Sequence, residues 1–138
     1  MNLTIIDGQG GMLGAQLVRE IIARFPEVKI SAVGTNASAT AAMIKAGVKR
    51  AATGENPVIV ACRTADVIIG PVGIVIADSL LGEVTPAMAL AVAQANATRI
   101  LIPMNKCDNL IAGVGDLSTA ALIEDVIAKL DKIIREGN

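Results

Sequence analysis

The sequence predicts a single α/β domain with a mostly parallel β-sheet. Short apolar segments alternate with longer amphipathic segments along the 138 residues, which is the pattern of β–α–β units with right-handed crossovers. Hydrophobic residues make up 53% of the chain and aromatic residues 1%, so the core must be built from aliphatic side chains. We expect five or six strands with helices on both faces, in one domain over residues 1–138.

The first half of the chain contains three predicted strand–helix units. Leu3–Asp7 is a short apolar strand, and apolar residues then recur at helical spacing over Gly11–Phe25, before Pro26. The short turn between them favours a Rossmann-like, doubly wound strand order. The elements that follow are a strand over Val28–Val33, a helix over Ser38–Ala46, a strand over Arg50–Thr53 and a helix over Asn56–Thr64.

The second half contains a longer connection. About thirty residues separate an apolar strand at Val67–Ile69 from the next strand at Arg99–Pro103, more than one crossover helix needs. Thr85 followed by Pro86 is typical of a helix start. The other predicted elements are a short helix over Ala77–Leu81, a helix from Thr85 to about Ala97, a sixth strand over Leu110–Val114 and a final helix over Leu117–Arg135.

Charge and hydropathy limit the partners of the chain. The net charge is −1, without a basic stripe, and Phe25 is the single aromatic residue, so nucleic acid is not expected as a partner. A mean hydropathy of +0.60 is high for a small monomer and predicts a homo-oligomer. No signal peptide or membrane span is recognisable, which predicts a cytoplasmic protein without a membrane partner.

The residue types that are missing limit the chemistry. The sequence contains no His and no Tyr, so any catalysis must use carboxylates, Lys, Arg, Cys, hydroxyls or backbone amides. Cys62 and Cys107 lack the spacing of a metal or redox site, which favours free thiols.

Four glycines follow the first strand, at positions 8, 10, 11 and 14. A turn of this kind between a strand and a helix lets a phosphate approach the backbone at the positive helix N-terminus. The strict G-x-G-x-x-G spacing fails because Leu13 occupies the third glycine position, and a tight turn that binds nothing is the alternative. The predicted phosphate-binding residues are Gly8, Gln9, Gly10, Gly11, Met12 and Leu13.

Other glycine, amide and hydroxyl residues follow the later strands. The carboxyl ends of parallel strands lie at one edge of a sheet, so we expect these residues to complete one ligand site there. Turn formation alone is the alternative explanation. The residues are Gly34, Thr35 and Asn36 after the second strand, Thr53 and Gly54 after the third, Gly70 and Pro71 after the fourth, and Asn105 after the fifth.

The end of the second strand bears on the type of nucleotide. Dinucleotide sites that take NAD place an acidic residue about twenty positions after the glycines, where it binds the ribose hydroxyls. This chain has Gly34-Thr35-Asn36-Ala37-Ser38 there, without a carboxylate. The sequence therefore favours NADP or a mononucleotide over NAD, with N-capping by Asn36 or Thr35 as the alternative role.

The candidate catalytic residues are Asp7, Glu55 and Lys106. Asp7 has three possible roles: it caps its own turn, it holds Mg²⁺ beside a phosphate, or it is a catalytic carboxylate. Lys106 would stabilise negative charge. Glu83 is a further reactive candidate, with capping of the helix after it as the alternative. No reaction is assigned.

Several segments resemble a family of small, uncharacterised, bacterial Rossmann-like proteins. They are IDGQGG, GTNASATAAMIKAG, ATGENPVIV, IIGPVGIVIADSLLGEVTPAMA and ILIPMNKC followed by IAGV. The resemblance covers nearly the whole chain and implies the fold, but no activity. The function expected from the residues is binding of a nucleotide or phosphorylated small metabolite. The alternative is a non-catalytic, ligand-sensing or structural subunit of a homo-oligomer.

Overall fold

The computed structural model describes residues 1–104 and 109–137. Strands and helices alternate along the chain, as the sequence predicts. The elements are β1 Asn2–Asp7, α1 Met12–Arg24, β2 Lys29–Gly34, α2 Ala37–Lys45, β3 Arg50–Thr53, α3 Glu55–Cys62, β4 Val67–Pro71, a 3-10 helix Val72–Val75, α4 Pro86–Gln94, β5 Thr98–Ile102 and α5 Thr119–Glu136.

The five strands form one parallel sheet in the order β3-β2-β1-β4-β5. From β1 the chain moves outward through β2 to β3 and then returns to place β4 on the other side of β1. The register pairs Ile5 with Ala32 of β2 and with Ile69 of β4. The order therefore reverses between β1 and β4, and ligands of such sheets bind beyond the carboxyl ends of the strands at this reversal.

Each face of the sheet packs against its own helices. On one face, Leu3 and Ile5 of β1 belong to a core cluster with residues of α1 and α5, such as Leu17 and Leu130. On the other face, the alternate residue Ile6 packs in a second cluster with residues of α3 and α4. The Rossmann-like fold with helices on both faces is therefore confirmed.

Two element predictions are wrong. Ala77–Leu81 forms turns instead of a helix, because the backbone at Asp78, Leu80 and Leu81 is left-handed, with φ of 66°, 56° and 56°. Leu110–Val114 is not a strand, since Gly113 has φ of 83° and the Val114 N–H donates to the Ile111 carbonyl in a turn. The sheet of the described residues accordingly has five strands and not six.

Several element boundaries differ from the prediction, and those of α4 and β4 differ most instructively. Helix α4 ends at Gln94 instead of near Ala97, and the Arg99 guanidinium donates to the carbonyl of Ala95 at 2.8 Å just beyond its end. Strand β4 extends past Ile69 to Pro71, because residues 70 and 71 still pair with β5. None of the helices in the described ranges is long and apolar enough to cross a membrane.

Candidate functional site

The Asp7 carboxylate closes the turn between β1 and α1. One carboxylate oxygen accepts the Gly8 N–H at 2.8 Å and the other accepts the Gly14 N–H at 2.7 Å. The N-cap residue of α1 is Gly11, which has no side chain to accept a hydrogen bond. Asp7 therefore supplies the acceptor that a Ser, Thr or Asp at the N-cap would provide, so the structure shows the turn-capping role.

The surroundings of Asp7 raise the pKa of its carboxyl group. The side chain is 4% exposed, and this burial is the largest cause because it disfavours the charged form. The two N–H groups of Gly14 and Gly8 lower the pKa, and the nearby charge of Glu83 raises it. With 4% of its surface exposed, Asp7 has little room for a Mg²⁺ ion, which usually keeps several of its waters.

The glycines of the turn differ in their surroundings. A Cβ on Gly11 would lie 2.7 Å from the Cα of Ala39, and one on Gly14 would lie 2.6 Å from the sulfur of Met43. These two glycines are required for α1 to pack against α2. A Cβ on Gly10 would meet nothing closer than a Met12 side-chain carbon at 3.9 Å. Gly10 therefore borders open space.

Three N–H groups at the start of α1 have no acceptor among the described residues. They belong to Gly10, Met12 and Leu13. The first N–H groups of a helix lack intrahelical partners and carry the positive end of the helix dipole. Together with the space at Gly10, they give this end of α1 the character of an anion-binding site.

Glu83 lies beside this turn, although it is far away in sequence. Its Oε1 atom accepts the Gln9 N–H at 2.8 Å, the Thr35 hydroxyl at 2.7 Å and the Asn36 amide at 2.7 Å. The same amide group of Asn36 donates to the Gln9 carbonyl at 2.9 Å. One carboxylate oxygen thus joins the turn after β1 to the turn after β2.

The pKa of Glu83 is lowered. Burial of the carboxyl group is the largest cause and raises the pKa, but the hydrogen bonds from Thr35, Gln9 and Asn36 together outweigh it. The charged form is therefore the stable one at neutral pH. No described residue donates to the second oxygen, Oε2, and the residue is only partly buried.

Sequence reasoning did not predict the contacts of the Glu83 side chain. Thr85 is the N-cap of α4, as predicted, and accepts the Met88 N–H at 3.1 Å, whereas the Glu83 carboxylate accepts donors from the turns after β1 and β2. The contact with Gln9 joins residues 74 positions apart. The sequence carried one usable signal: the connection after β4 is longer than a crossover requires.

The loop over residues 76–84 holds Glu83 in place, and we call it the 76–84 loop. Its Leu80 side chain is 1% exposed and covers the first glycine of the turn. A Cβ on Gly8 would lie 2.5 Å from Thr35 Oγ1, 2.8 Å from Leu80 Cδ1 and 2.9 Å from Glu83 Oε1. Gly8 is therefore needed for the close approach of this loop.

Several other predicted site residues have packing roles. A Cβ on Gly34 would lie 2.2 Å from the Thr40 hydroxyl, and that hydroxyl is 2.7 Å from the Thr53 hydroxyl. A Cβ on Gly70 would lie 2.4 Å from the Ile6 carbonyl oxygen, so β4 needs a glycine there. Pro71 is the last residue of β4.

The structure brings only part of the predicted site together. Asp7, the turn after it, Thr35 and Asn36 are neighbours, whereas Gly54 and the exposed Glu55 follow β3, two strands away. Asn105 and Lys106 lie outside the described residues, as does Cys107. In the ranges that the structure covers, no group of three His, Cys, Asp or Glu side chains could hold a metal.

A groove of about 600 Å³ lies elsewhere, between β2, β3 and α3. Its lining includes Lys29, Lys49 and Arg50, near the starts of the strands. None of the candidate phosphate-binding residues of the first turn lines it. The groove is therefore separate from the edge at which β1 and β4 end.

The strand order, the helices on both faces and the turn at the end of β1 define a Rossmann-like α/β protein. The chain belongs to the family described as Domain of unknown function (DUF3842), whose model matches residues 2–135. The resemblance to an uncharacterised family is thereby confirmed. The comparison with curated proteins found no match.

Proposed function

We propose that the protein binds a nucleotide or a phosphorylated small metabolite at the carboxyl-terminal edge of its sheet. The phosphate would lie at the start of α1, beside Gly10. The observation that carries the proposal is the set of N–H groups at Gly10, Met12 and Leu13, which have no acceptor among the described residues. They lie next to the reversal of strand order between β1 and β4.

The charge of Asp7 is compatible with a phosphate at this place. Like charges in a partly dry cleft repel each other. Both oxygens of the Asp7 carboxylate, however, accept N–H groups within the turn, from Gly8 and Gly14. The carboxylate is therefore directed into the turn, and its charge is partly compensated there.

Binding of ADP, measured by isothermal titration calorimetry with and without Mg²⁺, tests the proposal. Gly10→Val would place methyl groups in the space at this position, because a Cβ there makes only an ordinary contact with a Met12 side-chain carbon, at 3.9 Å. We expect ADP binding to weaken at least about tenfold, equivalent to about 1.4 kcal/mol, with little change in the melting temperature of the free protein.

Gly115→Val is the matched control. Gly115 also has open space around its Cβ position and follows β5, two strands away from β1. Equal loss of ADP binding in both variants, or no ADP binding by the unaltered protein at millimolar concentration, would contradict the proposal.

A ligand-sensing homo-oligomer is the second proposal, and exposed apolar side chains favour it. Leu81 is 97% exposed and Met12 is 68% exposed, both close to the turn after β1. Burial of such residues between subunits would remove apolar surface from water. Light scattering with and without ADP tests this proposal, and a mass of one chain under both conditions would refute it.

We also propose that the protein is cytoplasmic and that neither nucleic acid nor a membrane is its partner. These proposals assign no reaction: Asp7 caps its turn, and Glu55 is exposed at the start of α3.

A further inference from the structure

The Glu83 carboxylate lies beside the end of β2. The two side chains that donate to its Oε1 atom, Thr35 and Asn36, are the two residues that follow the last residue of β2. Its Oε2 atom has no donor among the described residues, and the side chain is only partly buried. A hydrogen-bond acceptor of full negative charge is thus available to a ligand at this point.

A carboxylate at the end of the second strand has a known physical role in dinucleotide-binding sheets. It accepts hydrogen bonds from the ribose hydroxyls of the nucleotide whose phosphate lies at the first helix. In this chain the residues after β2 contain no acid. The 76–84 loop places Glu83 there instead, from the connection that follows β4.

We propose that Glu83 is the specificity-determining residue of the site, and that it selects nucleotides with a free ribose 2′-hydroxyl over nucleotides with a 2′-phosphate. This inference rests on the proposed function. The ligand class is then a ribonucleotide with a free 2′-hydroxyl, and NAD and ADP are its test ligands. The preference for NADP suggested by the sequence depended on the missing carboxylate near Asn36, and Glu83 supplies one.

The charges around Glu83 support this choice. Its donors among the described residues are a backbone N–H, a hydroxyl and an amide, all of them neutral. Two hydroxyl groups can donate to Oε2, whereas a 2′-phosphate would bring two negative charges against the carboxylate. In the described ranges no Lys or Arg forms an ion pair with Glu83 that would offset this repulsion.

The carboxylate is also held in one orientation before a ligand arrives. Three donors converge on Oε1, and the 76–84 loop is closed by hydrogen bonds from the Asp78 N–H to the Val84 carbonyl and from the Val84 N–H to the Ser79 carbonyl. The buried Leu80 anchors the loop over Gly8. A fixed acceptor loses little conformational entropy on binding and therefore adds to selectivity.

The first test compares ligands on the unaltered protein by isothermal titration calorimetry. We expect NAD to bind at least about tenfold more tightly than NADP, because the 2′-phosphate of NADP is repelled by the carboxylate. We expect ADP to bind more tightly than its 2′-deoxy analogue, because the analogue lacks a hydrogen bond to a charged group. Equal affinities within each pair, together with clear binding of ADP, would overturn the role of Glu83 and leave the proposed function intact. If none of these ligands bound, both the role of Glu83 and the proposed function would be contradicted.

The second test uses Glu83→Gln. The amide keeps the shape of the side chain and an oxygen that can accept the same donors, so the protein should fold, as its melting temperature would show. We expect the ratio of NAD to NADP affinity to fall to within about threefold, as the repulsion of the 2′-phosphate disappears. Glu27→Gln, an exposed acid outside the site, changes the net charge equally and should keep the ratio of the unaltered protein.

A different result would assign a different role to Glu83. If the carboxylate merely fills a phosphate position, Glu83→Gln should tighten NAD, NADP and pyrophosphate by the same factor, and this would overturn the proposal. An unchanged ratio in Glu83→Gln would overturn it as well.

Discussion

Glu83 Oε1 lies 2.8 Å from the amide nitrogen of Gln9, although the two residues are 74 positions apart in the chain. The contact fixes the connection after β4 against the turn after β1, which are the two segments that border the reversal of strand order. It makes a carboxylate part of the surface that the glycine turn presents. The stability of this contact and its dependence on pH are therefore measurable properties of the candidate site.

Thr35→Val removes one of the three donors to Glu83 without changing the shape of the side chain. We expect the free energy of unfolding to fall by about 1 kcal/mol, since the hydrogen bond goes to a charged group at a partly exposed place. Urea denaturation measures this, and Thr35→Ser, which keeps the hydroxyl, is the control. In a double-mutant cycle with Glu83→Ala, which removes the acceptor, the two effects should be less than additive. Strict additivity would show that the hydroxyl acts independently of Glu83.

Gly14→Ala and Gly10→Ala should differ in their effect on stability. A Cβ at position 14 would lie 2.6 Å from the Met43 sulfur and 2.9 Å from the Asp7 Cβ, and Met43 is fully buried. We expect Gly14→Ala to cost about 1–3 kcal/mol through overpacking. Gly10→Ala should stay within about 0.5 kcal/mol. Similar melting temperatures for the two variants would show that α1 and α2 separate easily.

The fold could be predicted because local signals agreed with each other. Alternation of strand and helix patterns, the capping pair Thr85-Pro86 and the short first turn all indicated a doubly wound sheet. The two errors in element type concern segments whose backbone is left-handed: the 76–84 loop and the turn at Gly113. Leu80 and Leu81 disfavour that conformation, so their sequence gives no sign of it.

Only part of the candidate site could be predicted. The turn residues follow from the pattern at the end of β1, and the capping role of Asp7 was one of three alternatives for it. The position of Glu83 depends on how the 76–84 loop folds back, which is a tertiary property. Gly11, Gly34 and Gly70 looked like ligand positions, but close contacts with other backbone segments and side chains account for them.

Leu80→Ala and Leu81→Ala together test whether the buried side chain of Leu80 anchors the 76–84 loop. Leu80 is 1% exposed and Leu81 is 97% exposed. We expect Leu80→Ala to cost about 2–5 kcal/mol, through lost burial and the cavity that remains. Leu81→Ala should stay within about 0.5 kcal/mol. Hydrogen exchange at the Gln9 amide should accelerate in Leu80→Ala alone, because this N–H donates to Glu83; equal exchange rates in both variants would contradict the anchoring role.

Asp7→Asn should destabilise the protein at pH 7. A carboxylate can accept the N–H groups of both Gly8 and Gly14, whereas an amide offers one oxygen and turns its NH₂ group toward the other donor. We expect a loss of about 1–3 kcal/mol, since a buried N–H is left without an acceptor. Urea denaturation at pH 7 measures the loss, and equal stability of the two proteins would contradict the capping role.

The difference in stability between the unaltered protein and Asp7→Asn should also depend on pH. Burial raises the folded-state pKa of Asp7 above the ordinary value of 3.8, so the folded protein holds the proton more tightly than the unfolded chain. The contribution of Asp7 is therefore largest below pH 3.8, decreases as the pH rises through the folded-state pKa, and is constant above it. Because the other carboxylates are common to both proteins, their titration largely cancels in the difference. A difference in stability that increases with pH would contradict the burial argument. In a Glu83→Gln background, the decrease should begin at the same pH but end at a lower pH, because the charge of Glu83 contributes to the raised pKa of Asp7.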